Sequence, residues 1–310
     1  MIDDQVQPPA ESPAPHTGPD AATVPPVWRY VIGLAAAVVG LLPWLITGIR
    51  LPLQNLWATP TLPEEMPLAL LPFSQYAVVE IPALLVVGGA VAGAVARWRI
   101  PSGLGSVAVG LLAVQVFAVV QTAVTVSAGL APRTESTTYL VGLLALSGVS
   151  VAVAVGTMVL IARAPRAGVL VGVTAVALLL GTWVGVLVAG PFGVPSDAAM
   201  VVIRQTRWVA PVLIGGAIAW AGLRTVGRAV GALGSLLALW LVPPLLTAVT
   251  SAVGSRILAG HLADMLEYGV GVFRMAATTP SLVVPPLLVA VGVAAAGLLL
   301  RGVRRRHPSP

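Results

Sequence analysis

Cysteine is absent from the 310-residue chain, and so is lysine, because all 17 basic residues are arginine. The first absence removes disulfides, thiolate metal sites and cysteine nucleophiles. The second fits a coding bias at least as well as a demand for guanidinium chemistry. Charge of any kind is scarce at 9% of residues and aromatics stand at 5%, against 57% hydrophobic residues and a mean hydropathy of +0.97. A water-soluble domain carries far more charge than this, so water is the wrong solvent for the chain.

Recognition sequences for soluble chemistry are missing too. There is no G-x-x-x-x-G-K-[ST], no H-E-x-x-H and no G-x-S-x-G. The long apolar runs contain no histidine and no paired aspartates, so the ingredients of membrane-embedded serine or aspartyl hydrolysis are lacking. No catalytic residue, cofactor or metal is assigned. The net charge of +6 does not point to nucleic acid, since the arginines sit in short turns and form no basic face with interleaved aromatics.

The first 26 residues hold seven prolines with Asp3, Asp4, Glu11 and Asp20 and few large apolar side chains, the composition of a disordered tail. A signal peptide opens with positive charge, whereas this tail is acidic until Arg29, so the first apolar run is expected to stay as a helix.

What the chain has in abundance is long uncharged stretches. About 20 apolar residues of helix cross a bilayer core. Seven runs of that order are read directly: Tyr30 to Ile49, Phe73 to Ala96 with Glu80 inside it, Ile100 to Pro132, Ser136 to Ala162, Ala167 to Ser196, Ala229 to Ser255 and Met275 to Leu300. An eighth, sixth in chain order, is charge-free only from Trp208 to Leu223. It gains adequate length by reaching back to Met200, with Arg204 and Arg207 extended to the outer headgroups. Ser196 and Asp197 supply an N-cap and a first-turn carboxylate for it.

Arginine placement supports this count. With eight crossings, Arg29 and the arginines of the turns at 97–99, 163–166, 224–228 and 301–306 share one side, and those turns contain no acidic residue. Glu64, Glu65, Glu135, Asp197, Asp264 and Glu267 fall on the other. Basic loops face the cytoplasm, so both termini are expected there. The expected fold is all-α, a polytopic transmembrane helix bundle: tail 1–26, eight-helix domain 27–303 and basic tail 304–310. Its place is a cell membrane, in texture a bacterial inner membrane.

Pairs of small residues four apart, such as Gly89 and Gly93, Gly148 and Ala152, Gly181 and Gly185, and Gly292 and Ala296, suit close helix packing in lipid. Pro43, Pro82, Pro211, Pro243–Pro244 and Pro285–Pro286 fall within the expected spans and predict bent or interrupted helices.

Few residues are left to carry a function. Glu80 is the acidic residue inside an expected span, where a carboxylate needs a partner, a proton or water. Arg204 and Arg207, three apart, share a helix face and suit a phosphate or carboxylate, and equally suit pairing with Glu80 or with lipid phosphates. Gln115, Gln121 and Thr125 make the third span the most polar at mid-depth, as interhelical bonds or as a pathway lining.

Residues 50–75 read as an interfacial lid with a capping box at Thr61–Glu64, and 256–275 as an amphipathic helix bearing His261, Asp264 and Glu267. These residues support permease- or flippase-like transport of an anionic or lipid-linked substrate, with the bilayer and its anionic headgroups as partners. A scaffold or assembly subunit bound to another membrane protein, and a transferase acting on a lipid-linked substrate, are the alternatives.

Overall fold

A computed structural model describes residues 25–100, 102–189, 195–255, 257–258 and 261–306, with the side chains of 304–306 excepted. The expected disordered tail therefore lies outside the described residues up to residue 24, as do the end of the expected fifth span at 190–194 and the last four residues. Positions 256, 259 and 260, at the start of the expected amphipathic segment, are also outside them. The chain is all-helical, and among the described residues there is no strand. The helices are α1 (Pro26–Ile46), α2 (Glu80–Arg99), α3 (Leu104–Gly129), α4 (Thr134–Arg163), α5 (Arg166–Ala189), α6 (Asp197–Thr206), α7 (Val209–Ala221), α8 (Val226–Gly254), α9 (Leu262–Thr278) and α10 (Pro280–Arg306). Seven of them, all except α6, α7 and α9, are long and apolar enough to cross a membrane.

The helices fall into two groups joined by α5. In the first, α2 is the central element and packs against α1, α4 and α5. Its near-continuous burial depends on glycine. Gly88 meets Gly40 of α1 backbone to backbone, while Gly89 and Gly93 rest directly on Ala154 and Met158 of α4, leaving no room for a Cβ. Apolar helices gain little from lipid exclusion alone, so this close approach is what holds them together. Of the small-residue pairs noted in the sequence, only Gly89–Gly93 seats both its glycines on a neighbouring helix. Gly148, Gly185 and Gly292 have open space beside them.

Between α1 and α2 the chain does not form a surface helix. Apart from a single 3₁₀ turn at Pro63–Glu65, residues 47–79 are irregular, and the apolar residues toward their C-terminal end largely turn inward. Met66, Ala69, Leu71 and Phe73 are almost completely buried against Trp44, Leu84 and Val126. Buried irregular backbone must find hydrogen-bond partners, and here side chains of the bundle supply them. Trp44 Nε1 donates to the Ala69 carbonyl (2.7 Å), and Thr122 Oγ1 accepts from the Leu71 amide (2.9 Å). Gln121 accepts from the Leu70 amide (2.9 Å) and donates to the Leu68 carbonyl (3.0 Å). The segment is a plug seated in the end of the bundle. It also shortens the second span, which begins at Glu80 and not at Phe73.

In the second group α6 and α7 lie end to end along α5 in the opposite direction, so that Thr206 faces Gly181 and Trp220 reaches Arg166. The α6–α7 boundary falls at Arg207–Trp208, with an i to i+3 bond from the Trp208 amide to the Gln205 carbonyl (3.0 Å). Pro211, which cannot donate to the carbonyl of Arg207, sits in the first turn of α7 and accounts for the break. Pro82 likewise occupies the first turn of α2, where its missing donor costs nothing, whereas Pro43, Pro243–Pro244 and Pro285–Pro286 lie inside continuous helices. α9 returns along α8, and α10 then runs parallel to α7.

Candidate functional site

A cavity of about 410 Å3 lies between α5, α6–α7, α8 and the α9–α10 junction. That is within the range of small-molecule sites, roughly 300–1,000 Å3. The stripe Ile203, Thr206, Arg207, Ala210, Pro211 forms one wall. Its spacing of i, i+3, i+4, i+7 and i+8 is a single helical face carried straight through the break.

Prolines are prominent in the lining of this cavity. Four of the lining residues are Pro211, Pro243, Pro244 and Pro286. Each lacks the amide that would bond the carbonyl four residues earlier, and those carbonyls belong to Arg207, Leu239, Trp240 and Leu282, all of which also line the cavity. Thr182 and Thr247 add hydroxyls. Thr247 donates its proton back to the Pro243 carbonyl (3.0 Å), leaving its lone pairs to the cavity side. The Trp240 indole is held away from this role by donating to the Ala277 carbonyl across the α8–α9 contact (3.0 Å).

Arg207 is the charged residue of the lining. Its guanidinium lies 4.5 Å from the centroid of the Trp208 ring, a cation–π contact that orients the group without consuming its N–H donors. Among the described residues no carboxylate pairs with it. A guanidinium beside carbonyls deprived of their helical donors can bind a head that is both anionic and hydrogen-bond donating, while the Ala, Leu, Val and Pro walls take an apolar body.

The sequence-derived candidates are dispersed. Arg204 is exposed on α6, off the lining stripe, so the break and helical rotation assign only one of the two arginines to the cavity. Glu80 is the first residue of α2, half-buried at the positive end of that helix, and no ion pair joins it to Arg204 or Arg207. Gln115, Gln121 and Thr125 are far from the cavity and bond to backbone. Gln115 donates to the Leu85 carbonyl of α2 (2.8 Å), and Thr125 to the Gln121 carbonyl (2.9 Å). His261, Asp264 and Glu267 are exposed around the start of α9, and no group of three metal-ligating residues stands together among the described residues. The proline pairs were visible in the sequence as bends. That their freed carbonyls meet in one place was not, since this depends on the rotation of three separate helices.

Compared with family models, curated proteins and solved structures, the chain matches none.

Proposed function

We propose that this is a multi-pass membrane protein of permease or flippase type that takes an anionic amphiphile into the cavity between α5 and α10. In this reading eight segments cross the bilayer, α6 and α7 together forming one of them. The α6–α7 stretch, about 37 Å at 1.5 Å per residue, is long enough for a core of about 30 Å, whereas α7 alone at about 20 Å is not. The acid-free arginine turns then face the cytoplasm with both termini, and the cavity belongs to the outer half of a cell membrane, as in a bacterial inner membrane. The observation that carries the reading is Arg207, exposed at the edge of a cavity otherwise lined by apolar residues and prolines, with no carboxylate paired to it among the described residues.

The test is transbilayer movement in vesicles of phosphatidylcholine containing a trace of headgroup-fluorescent phosphatidylglycerol, read as the fraction of probe reached by an external reductant. The reconstituted protein should speed access to the inner-leaflet probe. Arg207→Gln should slow it about tenfold, the effect of losing one charge-assisted contact. Equal rates for the protein and the folded Arg207→Gln variant would refute the reading.

A further inference from the structure

A second site lies at the arginine-rich end of α5 and α7, displaced from the cavity along the two helices. Ala210 and Pro211, in the first turn of α7, line the cavity, whereas Leu213, Gly216, Ala217 and Trp220, further along the helix, line a separate open groove of about 580 Å3 with Val169 and Val173 of α5.

We infer that this groove binds one acyl chain of an anionic phospholipid of the cytoplasmic leaflet, its phosphate held by Arg97 and Arg166. The inference shares the membrane orientation proposed above but not the Arg207 cavity. Arg97 lines the mouth of the groove. Its Nη1 donates to the carbonyls of Ile161 (2.8 Å) and Ala164 (3.2 Å), which fixes the guanidinium over the end of α4 and leaves Nη2 and Nε for a ligand. The Arg166 guanidinium lies 5.7 Å from the centroid of the Trp220 ring that forms part of the groove wall.

Two guanidiniums from different helices at the rim of an apolar trough match a phosphodiester above a chain, and an indole at the same level suits the headgroup boundary. Charge complementarity selects the occupant. The segments that bring these arginines together, 96–100, 161–168 and 219–229, contain no acidic residue. A neutral or zwitterionic lipid would leave this positive field unbalanced.

The test is native mass spectrometry of the full chain released from bilayers of phosphatidylcholine mixed with phosphatidylglycerol. One phosphatidylglycerol should stay bound in preference to phosphatidylcholine. Arg166→Gln should weaken its retention about tenfold. Gly216→Leu should abolish retention while leaving thermal stability intact, because Gly216 has open space beside its Cα and a larger side chain would fill the groove and not the core. Arg207→Gln should retain the lipid unchanged, which separates this site from the cavity. Equal retention of the two lipids, or undiminished phosphatidylglycerol in folded Gly216→Leu, would overturn the inference.

Discussion

Gln115 and Gln121 show how two identical side chains on one helix differ in worth. Gln121 uses both ends of its amide on the backbone of the plug, and Leu70 has no other acceptor for its amide proton in that contact. Gln121→Leu should therefore cost about 2 kcal/mol, the penalty of a polar group left without its partner. Thermal unfolding in detergent should record that loss, with faster proteolysis within residues 66–73. Gln115 makes one bond to Leu85 and buries its Oε1 without a partner. Gln115→Leu removes a bond and an unsatisfied atom together, so its cost should stay within about 1 kcal/mol in the same assay. The sequence marked both residues as polar groups at mid-depth. It could not separate them, because the partner of Gln121 lies 51 to 53 residues upstream, and nothing in the sequence says that this stretch folds back onto α3.

Helix boundaries were legible where charge or capping chemistry sets them and illegible where packing does. Ser196 caps α6 as its sequence indicates, its hydroxyl accepting from the Ala199 amide. The start of α2 was misplaced because residues 73–79 carry no charge to mark a boundary and fold as a series of largely buried turns. The glycine pairs behave in the same way, since spacing alone does not say which face meets a neighbour. Gly89→Val should destabilise the protein by about 3 kcal/mol, since the new side chain would drive into the Ala154 backbone. Gly292→Ala, with nothing nearby, should be neutral or gain about 0.5 kcal/mol from helix propensity. Equal losses from the two substitutions, measured as detergent melting, would contradict the assignment of α2–α4 as the tight interface.

At the scale of the whole chain, composition alone identified a membrane helix bundle, because no other solvent accommodates so much apolar surface with so little charge. The division into an α1–α4 group with its plug and an α6–α10 group with its cavity was hidden. Alanine, valine and leucine on every face of every helix do not encode which helices are neighbours. The arginine turns also satisfy helix ends. Arg97 closes the carbonyl end of α4, and Arg301 donates to the carbonyls of Ala219 and Trp220 at the end of α7.

Both proposed sites depend on α6 and α7 carrying the chain across the bilayer, with Arg207 toward the outside. The absence of native cysteine allows this to be measured directly by placing single cysteines at Ser196, Thr225 and Gly302 and treating intact cells with a membrane-impermeant maleimide. The account predicts labelling of Ser196→Cys from outside, and of Thr225→Cys and Gly302→Cys only after permeabilisation. Labelling of Thr225→Cys in intact cells would contradict it.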